Sequence, residues 1–255
     1  MSDFREEIRH RLEAVRSNKE LRTTARAFTA ASIEAKYSYN FRWMGRPIIQ
    51  YPQDIVAMQE LVWETRPDLI IETGIAHGGS LILSASLLAL LDYADAEAGG
   101  TTLDPRAPRR RVLGIDIDIR SHNREAILAH PMARRIDMLQ GSSIDATVIE
   151  QARQAAARHE RVMVCLDSNH THEHVLAELQ AYAPLVTPGC YCVVFDTVIE
   201  DLEPGSFDDR PWDVGDNPRT AVAAFLDESS GFVVDEAIDD KLLVSVAPGG
   251  YLRRR

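Results

Sequence analysis

Leu69-Ile70-Ile71-Glu72-Thr73-Gly74-Ile75-Ala76-His77-Gly78-Gly79-Ser80 is the stretch on which the fold turns. A short apolar run stops at a glycine-rich turn, and the turn opens into the apolar, helix-patterned segment from Leu81 to Leu91. Such a run reads as a strand covered on both faces. Glycines let the backbone bend sharply and approach a ligand, and the first turn of a helix presents unpaired N–H groups. The spacing is E-x-G-x-x-x-G-G-S, which is neither the G-x-G-x-x-G dinucleotide fingerprint nor a P-loop ending in Gly-Lys-Ser/Thr. Glu72, ahead of the first glycine, would repel a pyrophosphate and suits an ammonium-bearing ligand. Plain tight packing of strand on helix explains the same glycines.

Outward from this turn the pattern alternates. Strands are expected at Arg111 to Ile117, Ile136 to Gln140, Val162 to Asp167 and Tyr191 to Asp196, with helices at 122–129, 144–158, 173–183 and 218–228. Strand–helix alternation predicts an α/β fold, a doubly wound, Rossmann-like parallel sheet. Two late strands, near Phe232 to Asp235 and Leu242 to Val246, are expected to form an antiparallel hairpin at its edge. Upstream, residues 3–36 are helical in pattern, with Phe4, Ile8, Leu12 and Val15 on one face, to pack on the main domain or a second subunit. An aromatic stretch follows to Pro52, then a helix from about Asp54 to Thr65. The chain thus divides into a helical and aromatic extension, 1–53, and a main domain, 54–255. Residues 95–110 read as a surface loop. Residues 198–217, rich in Asp and Glu, read as a lid over the carboxyl ends of the strands.

Ligand contacts are expected at those carboxyl ends. Glu72, Gly74, Gly78, Gly79 and Ser80 come from the first turn. Asp116, supported by Asp118, ends the next strand where such sheets accept ribose hydroxyls. Ser142 and Ser143 follow the third strand and suit an adenine ring edge, although Ser143 would serve equally as the cap of helix 144–158. Taken in order, the three features suit S-adenosylmethionine.

At the opposite end of the site, the strands ending at Asp167 and Asp196 are expected to be neighbours. Two facing carboxylates call for a proton or cation between them, and oxygen ligands without cysteine fit Mg²⁺ or a similar hard ion. Helix and turn capping would also account for both. His170, three residues past Asp167, is placed to act as a general base, with Asp167 beside it. The run His170-Thr171-His172-Glu173-His174 does not match the H-x-H-x-D-H pattern of metallo-hydrolases, and non-haem iron sites of the His-x-His kind usually occupy a β-barrel. His174 is expected to face solvent from its helix.

The chain carries 39 acidic and 28 basic residues, a net charge of -11, which argues against nucleic-acid binding. Arg253-Arg254-Arg255 reads as a solvated tail. Cys165, Cys190 and Cys192 lie in apolar runs and read as buried thiols. With no apolar run of membrane-spanning length and no apolar leader, the expectation is a cytoplasmic protein without a membrane partner.

At these residues the chain resembles the cephalosporin hydroxylase and rhamnosyl O-methyltransferase family, from about Trp43 to Tyr251. The motifs are Trp43-x-Gly45-x-Pro47-Ile48-Ile49-Gln50-x-Pro52-x-Asp54, the Glu72 to Ser80 turn, Gly114 to Asp118, Asp167-Ser168-Asn169-His170, Asp196-Thr197 and Asn217-Pro218. The resemblance implies a class I methyltransferase fold, S-adenosylmethionine as donor and Mg²⁺-assisted methylation of a hydroxyl. The acceptor would be a sugar or natural product, and the protein a homo-oligomer. It also implies Asp167 as a metal ligand, His170 as base, and a Glu-Asp pair after the fifth strand. Here Phe195 stands in place of that Glu and only Asp196 remains; Glu200 or Asp201 in the acidic loop could compensate. Trp43, Tyr51 and Trp212 are candidates to stack on a sugar ring. A metal-dependent hydrolase and a non-catalytic nucleotide-binding or assembly protein are the competing readings.

Overall fold

The computed structural model describes residues 2–207 and 209–255. Two helices, α1 (Ser2–Ser17) and α2 (Lys19–Glu34), replace the single helix expected over 3–36, because Asn18 breaks the run and caps α2 by accepting the Leu21 N–H. They dock on the chain's own main body: Arg16 and Arg22 both pair with Asp240, itself 6% exposed. A small hairpin, β1 (Arg42–Trp43) and β2 (Arg46–Pro47), leads to α3 (Pro52–Thr65).

The main sheet begins at β3 (Leu69–Thr73), followed by α4 (Gly79–Gly99), β4 (Arg111–Asp116), α5 (Ser121–Leu128), β5 (Ile136–Gln140) and α6 (Ala146–Ala156). The second half runs β6 (Val162–Leu166), α7 (His172–Tyr182), β7 (Tyr191–Val194), α8 (Pro218–Glu228), β8 (Phe232–Val234), α9 (Glu236–Leu242) and β9 (Tyr251–Arg254). The seven strands lie in the order β5-β4-β3-β6-β7-β9-β8, and β9 is antiparallel to both its neighbours. Side chains alternate between two core layers, Ile70, Met163 and Cys165 on one face and Leu69, Ile71, Val162, Val164 and Leu166 on the other. Helices cover both faces, which makes the sheet doubly wound.

Three expectations are corrected here. Leu242 to Val246 is not a strand; α9 and a turn occupy that stretch, and the last strand is Tyr251–Arg254. Arg253 and Arg254, read as part of a tail, therefore enter the sheet, where Arg254 donates to the Val186 and Pro184 carbonyls. The segment 95–110 is helical as far as Gly99, whose successor Gly100 ends α4 in a left-handed conformation. α4 is also long and apolar enough to cross a membrane, yet 61% of its most apolar window is buried inside the protein. It is a core helix, with Leu81 to Leu88 and Leu91 buried and Leu90 and Tyr93 facing outward.

Candidate active site

The chain reverses its winding between β3 and β6, and a ligand crevice forms at the carboxyl ends of such a pair. The two strand ends abut closely. Asp167 N–H donates to the Thr73 carbonyl at 3.0 Å, and a Cβ on Gly74 would lie 2.0 Å from the Asp167 carbonyl oxygen. Gly74 also has φ +88, a conformation that disfavours any side chain. Gly79 is equally constrained, since its Cβ would meet the Pro47 carbonyl at 2.1 Å. Gly78 has φ +81 and packs on Ile127.

A cavity of about 460 Å³ opens above this junction. Gly74, Ala76, His77, Gly79 and Ser80 line it together with Asp167, His170 and Asp196. Asp196 adopts φ +56 just past β7, an uncommon backbone for a residue other than glycine and of the kind found at functional sites. Register places it there: Leu166 pairs with Val194, and Phe195 N–H donates to the Leu166 carbonyl. Atoms of Asp167, His170 and Asp196 able to bind a metal lie within 4.8 Å of one another, and His170 Nε2 is 3.2 Å from Asp196 Oδ2. Burial, then the nearby Asp196, Glu72 and Glu178 carboxylates, push the Asp167 carboxyl well above the usual carboxylate range. The two carboxylates offer oxygen donors of the kind a hard divalent cation accepts, with the imidazole beside them.

The remaining expected residues hold the site from outside the cavity wall. Asp116 Oδ2 accepts from the Ile75 and Ala76 N–H groups, and its Oδ1 from that of Asp118. The strand-end acid thus pins the glycine turn. The Asp118 side chain is exposed. Glu72 is buried below the turn, which raises its pKa while the Ser84 and Ser80 side chains oppose the shift. Ser142 is half-buried, and Ser143 is buried. Asp145, not Ser143, caps α6, accepting the Thr147 N–H. Ser143 Oγ instead meets His174 Nε2 at 3.0 Å, and the same nitrogen lies 3.2 Å from Ser168 Oγ. Ser168 in turn donates to the buried Glu178 at 2.6 Å. His174 therefore faces inward, against expectation, and this network behind Asp167 was not anticipated.

The other aromatic candidates divide. Tyr51 is 1% exposed and shares a hydrogen bond with Ser32, and Trp43 donates to Ser86 while packing on the core. Tyr51 nevertheless borders the cavity from the core, and Trp212 lines it with its ring T-shaped to that of His170, the centroids 4.6 Å apart. Phe207, Asp209 and Arg210 of the acidic segment line it too, so that segment does lie over the strand ends; Asp208 falls outside the described residues. Glu200 accepts from Gly215 N–H and Asn217 Nδ2, and Asp201 pairs with Arg219. Neither reaches the Asp167–Asp196 cluster to replace the carboxylate missing at Phe195.

This combination of sheet order and glycine turn defines a class I methyltransferase fold, and solved structures agree. A CmcI structure described with Mg and SAM matches with a TM-score of 0.54 at 19% identity, covering 85% of this chain and 77% of its own. The apo form of CmcI gives 0.53 at 22% identity, covering 85% and 76%. The family model for Rhamnosyl O-methyltransferase/CmcI matches residues 35–255, and the chain belongs to that family. It is an S-adenosylmethionine-dependent O-methyltransferase. The rhamnosyl O-methyltransferase of Mycobacterium tuberculosis is 28% identical over 219 residues, 83% of this chain and 77% of its own. That of Mycobacterium leprae is 28% identical over 217 residues, covering 84% and 82%.

Proposed function

We propose that this enzyme methylates a hydroxyl of a sugar or sugar-bearing small molecule, with a divalent cation, Mg²⁺ or one like it, held by Asp167 and Asp196 and with His170 beside it as base. The observation that carries the reading is the convergence of those three side chains in the cavity that the glycine turn also lines. S-adenosylmethionine supplies an electrophilic methyl group on a sulfonium. A divalent cation, when bound, favours the ionised form of a nearby hydroxyl.

The chain's own residues do the rest. Gly74, Gly79 and Ser80, with the first turn of α4, receive the donor's amino-acid end, while Asp116 keeps the turn in place. Ser142 and Ser143 stand at the adenine end. His170 takes the acceptor's proton, and the Asp196 carboxylate beside Nε2 stabilises the imidazolium that results. Trp212 offers the acceptor ring an apolar face, and the segment over the strand ends excludes water. Holding donor and acceptor in line supplies much of the rate. The rhamnosyl specificity of the mycobacterial relatives supports a deoxysugar acceptor.

The test is formation of S-adenosylhomocysteine from S-adenosylmethionine with rhamnosylated acceptors, with Mg²⁺ and with a chelator. Turnover that requires Mg²⁺ is expected. Turnover indifferent to chelation would remove the cation from the proposal, and activity confined to acceptors lacking a sugar would remove the sugar.

A further inference from the structure

Gln50 lines both the reaction cavity and a small neighbouring one, and it is 6% exposed. One end of its amide, Nε2, lies 3.4 Å from Asp167 Oδ2, at the outer limit of a hydrogen bond. The other end, Oε1, is buried without a partner among the described residues. The small cavity, about 20 Å³, is also lined by Glu72, Asp54, Ser84 and Phe195, and Glu72 Oε1 is likewise buried without a partner among the described residues. Orphaned buried acceptors are costly, and two beside one small cavity call for a donor between them.

A half-turn of the Gln50 carboxamide supplies that donor and leaves the packing unchanged, because its nitrogen and oxygen ends have the same shape. The NH₂ group then faces the small cavity and Glu72. The oxygen faces Asp167, where two acceptors at this separation require a cation or proton between them. The other nearby side chains are already committed. Glu200 is bonded to Gly215 and Asn217, Asp201 pairs with Arg219, and Phe195 packs in the core. Asp167 and Asp196 offer two carboxylates, whereas hard divalent cations take about six oxygens.

We propose that Gln50 contributes its side-chain oxygen to the divalent-cation site formed by Asp167 and Asp196, where Phe195 supplies none. The inference rests on the cation reading given under the proposed function. One water donating to both orphaned oxygens is the competing arrangement, since the cavity is large enough for one. It leaves Gln50 with no part in cation binding.

The experiment is titration of the whole protein with Mn²⁺ alone, following free Mn²⁺ by electron paramagnetic resonance, with S-adenosylhomocysteine affinity and melting temperature measured alongside. Gln50→Met keeps the side chain's length and removes its oxygen, and is expected to weaken Mn²⁺ binding by about tenfold or more with the other two readings unchanged. Gln50→Glu, which adds charge at the same reach, is expected to tighten it. Native protein that binds Mn²⁺ while Gln50→Met binds it equally well overturns the inference and leaves the cation site standing. Native protein that does not bind Mn²⁺ overturns both. Should Gln50→Met fail to fold, Gln50→Glu decides: affinity equal to or below the native value sinks the assignment.

Discussion

Gly74 and Asp167 meet backbone to backbone, so closely that a single methyl group on Gly74 would overlap the Asp167 carbonyl at 2.0 Å. The glycine turn that faces the donor and the aspartate of the reacting end are therefore one rigid unit.

Gly74→Ala should accordingly damage both ends at once. The positive φ alone costs about 1–3 kcal/mol, and the collision adds to it. Gly189→Ala is the control, because Gly189 has φ +82 with no atom within 4 Å of its would-be Cβ. Chemical denaturation should show Gly74→Ala clearly less stable than Gly189→Ala, with S-adenosylhomocysteine binding lost only in the former. Equal losses of stability would mean that the two loops yield to each other.

His170 lies against Asp196 on one side and the Trp212 edge on the other, in the wall of the cavity. A group that moves a proton and does not bind the donor leaves a distinct trace when removed. His170→Ala is expected to lower kcat by about 10²- to 10⁴-fold while S-adenosylhomocysteine affinity, measured by calorimetry, stays the same. A parallel fall in affinity would assign the ring a structural part only.

Asp54 is fully buried at the start of α3, where it accepts from Ser245 Oγ, Val246 N–H and Tyr251 Oη. Burial pushes its pKa up to about 6, and those three hydrogen bonds oppose the rise. Asp239 is pushed to about 6 in the same way. An acid whose folded pKa exceeds its unfolded one holds its proton more tightly when folded. Its stabilising contribution is complete below about pH 4 and is lost as pH rises through about 6. Asp54→Asn removes that dependence at one site. Melting temperature plotted from about pH 4 to pH 6 should fall less steeply in the variant than in the native protein, and parallel curves would refute the assignment.

Legibility followed the range of the interactions. The strands Leu69–Thr73 and Ile136–Gln140 and the helix Pro218–Glu228 match their expected bounds, because continuous apolar runs and an Asn-Pro start are local signals. Leu242 to Val246 misled for the same reason. It is apolar enough for a strand, but the preceding Asp235 caps a helix, and the sheet takes Tyr251–Arg254 between β7 and β8 instead. His174 misled because nothing local marks Ser143, Ser168 and Glu178 as its neighbours. Gln50 carried a signal, a lone amide in the otherwise apolar Pro47 to Tyr51 run, but no sign of what it touches.

By itself, then, the order of residues determined the class of sheet, the glycine turn, and which acids stand at strand ends, since each depends on side-chain pattern over a few positions. Tertiary structure alone decided that Asp116 pins a turn, that Tyr51 and Trp43 belong to the core, and that Gln50 reaches Asp167 across 117 positions of chain. Those outcomes depend on how distant segments pack, and packing is set by the whole core.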